Sequence, residues 1–232
     1  MPFYYYYDPT YIILIPAIIF TMYAQMKVSS AYGRYQKVRN RRGITGAQAA
    51  RIILDQNGLS DVPIEIVAGK LSDHYDPRTR VMRLSRDVYS SPSIAAVGIA
   101  AHESGHAIQH AKHYVPLSFR NTIAPVVSIC SNLAWPLIII GLLFGASSGS
   151  NLLFDIGVLF FAAVVLFHAV TLPVELNASK RALAQLTENG IVYNDEVGGA
   201  RRVLSAAAMT YVAALATAIL NLVRILAIRR DD

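Results

Sequence analysis

The composition of this 232-residue chain is that of a membrane protein. Only 16% of its residues are charged, 54% are hydrophobic, and the formal net charge is +6. Because soluble domains carry about 25% charged residues, this deficit excludes an ordinary soluble domain, and the composition also excludes disordered, collagen-like and coiled-coil chains. The single cysteine, Cys130, cannot form a disulfide within the chain, so nothing indicates a disulfide-stapled secreted fold.

Four apolar stretches have the composition of membrane-spanning helices, which need about 20 mostly apolar residues. We expect spans at residues 9–26 and 204–228, and a hairpin of two spans within 122–172, because only residues 146–151 separate its two apolar runs. An alternative for 9–26 is a cleaved signal peptide, which the absence of basic residues before Lys27 disfavours. An alternative for 204–228 is a buried core helix of the soluble part.

The distribution of basic residues predicts the orientation in the membrane. Of the 21 lysines and arginines, 14 lie between Lys27 and Arg120, four lie between Lys180 and Arg202, and none lies in 146–151. The positive-inside rule therefore places 27–121 and 173–203 on the cytoplasmic side of the plasma membrane. A fourth span would put the last arginines outside, which is a mild conflict. The basic clusters indicate contact with anionic lipid rather than with nucleic acid.

Residues 27–121 are expected to form a small α+β domain. Thr45 and Gln48 have the spacing of a capping box, which predicts a helix from there to about Asn57. Short strands are expected at 64–67 and 81–84, with a hairpin across 71–85 around the turn at 76–79. A long helix is expected from Ser93 to about His113, and its uniformly apolar first half predicts burial.

The expected long helix contains the sequence His-Glu-Ser-Gly-His at 102–106. Positions four apart share a helix face, so His102 and His106 can bind one cation, with Glu103 beside them. This is the H-E-x-x-H pattern of zinc peptidases; the alternative is two stacked histidines in a buried helix. Gly105 costs about 1 kcal/mol relative to Ala inside a helix, which suggests that another segment approaches the backbone there.

A catalytic zinc site requires a third protein ligand and one open position. His110 and His113 fall where the helix would carry them past the metal, which leaves His168, inside the third span, and Glu175, just beyond it. Topology favours Glu175, because the third span returns to the cytoplasmic side just before it. Pro173 predicts the start of a new helix with Glu175 in its first turn. The alternative is that Glu175 is a solvated residue at the membrane boundary.

Three segments, at 71–85, 102–106 and 172–182, resemble the YugP-type membrane zinc metallopeptidases. Their wider relatives are the HtpX membrane proteases and the CAAX-processing membrane proteases, which are gluzincins. The resemblance implies that His102, His106 and Glu175 are the ligands of one Zn²⁺ per chain and that Glu103 is the general base. The HtpX-type pattern has an Asp at position 179, which would orient a ligand histidine. Here either Ser179 does this weakly or another group does.

The composition and the four apolar stretches predict a mainly α integral membrane protein with about four transmembrane helices, and the basic residues predict that its small α+β domain lies on the cytoplasmic side. The resemblance implies that this domain is a gluzincin-like zinc-protease domain. The implied activity is hydrolysis of peptide bonds in protein or peptide substrates, with zinc activating water and Glu103 accepting its proton. Arg181 is a weak candidate for stabilising the oxyanion, with contact to lipid headgroups as the alternative. The resemblance also implies that the strand at 81–84 receives substrate by edge pairing.

Two functions of other classes remain as alternatives. One is a membrane scaffold or binding protein whose zinc site is structural or inactive, against which the intact Glu103 argues, because a structural site needs no unliganded carboxylate. The other is an ion transporter, but the spans carry too few ionisable residues to outline a path. The sequence carries no signal of oligomeric state.

Overall fold

The computed structural model describes residues 9–148 and 151–231, so the expected hairpin link at 146–151 lies partly outside the described residues. A short 3-10 helix, Pro9–Leu14, comes first. The other elements are α1 (Ile15–Tyr35), α2 (Gly46–Gln56), β1 (Ile64–Val67), β2 (His74–Asp76), β3 (Val81–Ser85), α3 (Arg86–Ser90), α4 (Ile94–Ala111), α5 (Val115–Ser148), α6 (Leu152–Glu188) and α7 (Val197–Asp231).

Four helical segments of the described chain are long and apolar enough to cross a membrane: Thr10–Tyr35, Val115–Phe144, Leu152–Glu188 and Val197–Ile228. They overlap the four expected spans, so the prediction of a mainly helical protein with four candidate spans is confirmed. Only 22% of the most apolar window of the last segment is buried. Apolar side chains left uncovered in this proportion suit lipid better than the interior of a soluble domain.

The chain separates into two compact units. The mixed unit comprises residues 24–119 and 171–211 and contains the sheet, while the helical unit comprises the remaining residues that the structure describes. The mixed unit therefore contains most of both segments that the charge pattern assigns to one side of the membrane. The helical unit has a small apolar core, which consists of Ala134, Ile138, Phe154, Phe161 and Ile225.

The sheet of the mixed unit has the strand order β1-β3-β2. β2 and β3 pair antiparallel, with Tyr75 opposite Met82, which confirms the hairpin expected across 71–85. β1 pairs with the other side of β3 in parallel. Because both sides of β3 are occupied, the prediction that this strand receives substrate by edge pairing is wrong. The hairpin was visible in local turn residues, whereas the parallel pairing is a long-range contact.

Helix α2 begins as its sequence predicts. The Thr45 hydroxyl accepts a hydrogen bond from the Gln48 backbone N–H at 3.3 Å, and the Gln48 side chain accepts one from the Thr45 N–H at 2.9 Å. This capping box satisfies backbone donors that a helix start leaves unpaired. α2 then buries Ile53 and Leu54 in the core of the mixed unit, where the apolar first half of α4 also lies.

Helix α6 corrects one sequence-based expectation. It runs unbroken from Leu152 to Glu188 with Pro173 inside it, so Pro173 does not start a new helix and Glu175 lies in a helix interior. A proline there costs about 3 kcal/mol. A fully buried stripe offsets this cost, since burial of each large apolar side chain contributes about 1.5–3 kcal/mol. The stripe consists of Val174, Ala178, Ala182 and Leu186, spaced at one helical turn.

Candidate metal centre

Helix α4 presents the two histidines of the motif on one face. Ser93 caps the start of the helix: its hydroxyl accepts a hydrogen bond from the Ala96 backbone N–H at 3.2 Å. The rings of His102 and His106 lie edge to face, with centroids 4.8 Å apart. The expected arrangement of two imidazoles one turn apart is therefore present.

Gly105 lies where α4 meets α6. A Cβ atom on this residue would be 2.6 Å from the carbonyl oxygen of Ala178 and 3.2 Å from its Cα. Any side chain would collide with the backbone of α6, so only glycine permits this separation of the two helices. The close approach that Gly105 suggested is confirmed, and the approaching segment is the helix that carries Glu175.

Three potential metal ligands converge in the mixed unit. One donor atom from each of His102, His106 and Glu175 lies within 4.8 Å of the others. Glu175 Oε2 is 3.2 Å from His102 Nε2 and 3.5 Å from His106 Nε2. A tetrahedral zinc ion with bonds of about 2.0–2.1 Å separates its ligand atoms by about 3.3 Å. The donor types and the two distances from Glu175 to the histidines therefore fit zinc.

Each histidine is also held through its second nitrogen. His102 Nδ1 is 3.1 Å from the Ser179 hydroxyl, and His106 Nδ1 is 3.0 Å from the side-chain oxygen of Gln109. When Nδ1 donates to such an acceptor, Nε2 is the unprotonated nitrogen and is available to a metal. Of the two options left open by the sequence, contact between Ser179 and a candidate ligand is the one observed.

Gln109 connects His106 with two residues of α6 that flank Glu175 in the sequence, Val174 and Asn177. This fully buried side chain donates from its amide nitrogen to the Val174 carbonyl and to the Asn177 side-chain oxygen, both at 2.9 Å. This role was not predicted from the sequence. The available signal was a polar amide three residues after His106, on the same helix face.

Arg181 takes part in the same network. Its Nε donates to the Asn177 side-chain oxygen at 2.8 Å, the oxygen that also accepts from Gln109. Neither the oxyanion role nor the lipid contact considered for Arg181 anticipates this bond. The arginine thus holds Asn177 in the orientation that receives Gln109.

Glu103 is buried beside the three donors but is not one of them. Its Oε2 accepts a hydrogen bond from the Tyr75 backbone N–H, on edge strand β2, at 3.0 Å. Burial raises the pKa of Glu103 to about 7. A carboxyl group with this pKa can both accept and donate a proton near neutral pH.

The group of three donors includes no other histidine among the described residues. His110 Nδ1 is 2.9 Å from the Tyr75 hydroxyl, and burial lowers the pKa of His110. His113 has a backbone φ of 50° just beyond the end of α4. His168 belongs to the helical unit, where its ring packs edge to face against Phe167.

Comparison with known proteins supplies the family. The profile of a family described as "Putative neutral zinc metallopeptidase" matches residues 10–230. The chain is 48% identical over 210 residues to "Putative membrane protease YugP" of Bacillus subtilis (strain 168), which covers 90% of this chain and 92% of that protein. No solved structure matches the chain. The resemblance carried by the three sequence segments is confirmed: the chain belongs to this neutral zinc metallopeptidase family.

Proposed function

We propose that this protein is a membrane-embedded zinc peptidase that hydrolyses peptide bonds of protein or peptide substrates. The observation that carries the proposal is the convergence of His102, His106 and Glu175 on one point, with the separate carboxylate of Glu103 beside them. A catalytic zinc site has three protein ligands and, in this pattern, a nearby carboxylate that does not bind the metal, whereas a structural site uses four protein ligands. One such group corresponds to one zinc ion per chain.

Each residue has a role that follows from its position. His102, His106 and Glu175 would hold the zinc, which when bound acidifies a water molecule and polarises the scissile carbonyl. Glu103 accepts the proton of the attacking water and passes it to the leaving amine, and its pKa near 7 suits both transfers. The bond from the Tyr75 N–H holds one Glu103 oxygen in place between these transfers.

The sheet supports a gluzincin-like mode of substrate binding, with β2 in place of β3. β2 is an edge strand, and its Tyr75 N–H reaches the carboxylate of Glu103. Because this N–H already donates to Glu103, an extended substrate would pair with this edge through the Tyr75 carbonyl and would run beside the candidate site. The substrate strand therefore belongs next to β2.

We further propose that the site lies at the cytoplasmic face of the plasma membrane. Of the 21 basic residues, 18 lie in 27–121 and 173–203, the two segments that carry the candidate ligands. The positive-inside rule assigns such segments to the cytoplasm. In a Cys130→Ser background, a cysteine at exposed Asp61 should react with a membrane-impermeant maleimide only after the cells are lysed. Labelling in intact cells would contradict this orientation.

The decisive experiment is zinc quantification together with proteolysis of unfolded casein in detergent, by the wild type and by Glu103→Gln. We expect about one zinc per chain in both proteins and cleavage by the wild type alone, with a loss of at least about 10²-fold. Glu188→Gln, an exposed change on α6, is the matched control and should keep both properties. Cleavage by Glu103→Gln at the wild-type rate would contradict the mechanism.

A second variant tests the third ligand. Glu175→Ala should lose zinc, because two histidines alone bind the ion much more weakly. Unchanged zinc content would assign the third position to His168 or to another group. Zinc bound by a wild type that cleaves no substrate would instead support the alternative of a scaffold or binding protein with a structural or inactive site.

A further inference from the structure

A cavity of about 150 Å³ lies beside the candidate site, within the mixed unit. His102 and Glu103 form part of its wall, so an occupant would lie next to the reacting groups. Much of the remaining wall is built by Val28 and Tyr32 of α1, Ile99 of α4, and Leu204, Ala207 and Tyr211 of α7. Nothing in the proposed mechanism uses this space.

The chemistry of the wall is apolar. Apart from His102, Glu103 and Asp73, the side chains that line the cavity are aliphatic or aromatic. Asp73 is already engaged: its two oxygens accept hydrogen bonds from the backbone N–H of Ser85 at 2.7 Å and from the Ser85 hydroxyl at 3.2 Å. The cavity therefore favours an uncharged occupant.

The size of the cavity limits the occupant further. An apolar cavity of about 150 Å³ can hold a molecule as large as benzene. This is the size of the ring of a phenylalanine side chain, and leucine or methionine side chains are of similar bulk. A glycine or alanine side chain would leave most of the apolar wall uncovered.

We propose that this cavity receives an apolar side chain of the substrate, from a residue adjacent to the scissile bond. The inference rests on the proposed peptidase function and adds a substrate class to it: polypeptides whose cleavage site carries a residue such as leucine, methionine or phenylalanine. Differences of one or a few methylene groups in an apolar subsite discriminate by about 10–200-fold. We expect a preference of at least about tenfold for leucine over glycine at this position.

The test uses the full-length zinc-loaded protein in detergent and a set of quenched fluorescent peptides that differ only in one residue flanking the cleaved bond. The residues compared are glycine, alanine, leucine, phenylalanine and lysine. Wild type should cleave the leucine and phenylalanine peptides with a kcat/KM at least about tenfold above that for glycine. Equal rates for all peptides, or a preference for lysine, would overturn the proposal.

Ala207→Leu tests the cavity itself, because the added carbons would fill it. The ratio of kcat/KM for the leucine peptide to that for the glycine peptide should fall by at least about tenfold. Ala208→Leu is the matched control: it makes the same change one residue along α7, outside the cavity wall, and should keep the wild-type ratio. Zinc content reports whether both variants remain folded. A wild-type ratio in Ala207→Leu would overturn the proposal.

A binding measurement separates this inference from the proposed function. Fluorescence anisotropy with Glu103→Gln measures peptide affinity without turnover, and the leucine peptide should bind at least about tenfold more tightly than the glycine peptide. If wild type cleaved none of the peptides, the peptidase function would fail, yet this affinity difference would still support an apolar binding site. Equal affinities would overturn it.

Discussion

Replacement of Gly105 by alanine tests whether the separation of α4 and α6 sets the metal site. The new Cβ would lie 2.6 Å from the Ala178 carbonyl oxygen. Since carbon and oxygen atoms approach to about 3.3 Å in favourable contacts, the helices must separate by about 0.7 Å. The atom met is backbone, so it cannot swing aside as a flexible side chain would.

This displacement is large compared with what a metal site tolerates. The ligands are divided between the two helices, with His102 and His106 on α4 and Glu175 on α6. Metal–ligand distances are held to within about 0.2 Å, so a shift of about 0.7 Å leaves Glu175 out of bonding range. We expect zinc affinity to fall by at least about 10–100-fold, which corresponds to about 1.4–2.8 kcal/mol.

In Gly105→Ala the free energy of unfolding of the zinc-free protein should change less than the free energy of zinc binding. Overpacking costs about 1–3 kcal/mol, and alanine returns about 1 kcal/mol of helix propensity, so the free energy of unfolding should fall by about 0–2 kcal/mol. Gly98→Ala is the matched control on the same helix, because its Cβ would meet the nearest atom, Ala200 Cβ, at an ordinary 3.6 Å. It should gain up to about 1 kcal/mol and keep its zinc affinity.

The assay is competition for zinc with a chromogenic chelator in detergent, combined with thermal unfolding in the presence of EDTA. The reasoning predicts weak zinc binding in Gly105→Ala and wild-type binding in Gly98→Ala. If the two variants bound zinc equally tightly, helix separation would not control the site and the argument from Gly105 would be refuted.

Three other variants make distinct predictions. Gln109→Met should weaken zinc binding by about 10–100-fold in the same competition assay, because the His106 ring loses its hydrogen bond and the Val174 carbonyl loses this buried donor. Unchanged zinc affinity would show that the bond between His106 and Gln109 does not orient the ring. Ser179→Ala removes one neutral hydrogen bond to His102 and should have a smaller effect than Gln109→Met; a larger effect would contradict this order. Thr45→Ala should lower the free energy of unfolding by about 1 kcal/mol in denaturant titrations and leave the zinc content unchanged. An unaltered denaturant midpoint would show that the capping box does not stabilise the protein.

Local signals accounted for the features that the sequence predicted well. The capping box at Thr45, the hairpin at 71–85 and the sharing of one face by His102 and His106 each depend on residues within a few positions of each other. Helix periodicity and turn chemistry act over the same range. Glu175 is 69 residues after His106, so no local signal connects it with the histidines. Its place near them was predicted only from the expected return of the third span to the same side of the membrane.

The features that the sequence did not predict depend on long-range packing. Pro173 is a local signal for a helix start, but burial of Val174 and Leu186 within α6 outweighs it. The parallel pairing of β1 with β3 joins segments that no turn connects directly. Because this pairing makes β3 the central strand, the edge proposed for substrate binding is that of β2. The spacing of Gln109 from His106 on α4 can predict the contact between their side chains, but the bonds from Gln109 to Val174 and Asn177 form only because α6 lies against α4.

The contacts between α4 and α6 explain why metal binding and packing should depend on each other. From one end of the interface to the other, His102 meets Ser179, Gly105 meets Ala178, and Gln109 meets Asn177 and Val174. Residue numbers rise along α4 while they fall along α6, so the helices run antiparallel and the candidate ligands lie within this interface. A zinc ion bound by both helices would favour the packed state by mass action, contributing about 2.7 kcal/mol at a free concentration 100 times its Kd. The same linkage requires that any substitution that separates the helices also weakens zinc binding. Gly105 has no side chain, yet its replacement therefore tests the site as directly as replacement of a ligand does.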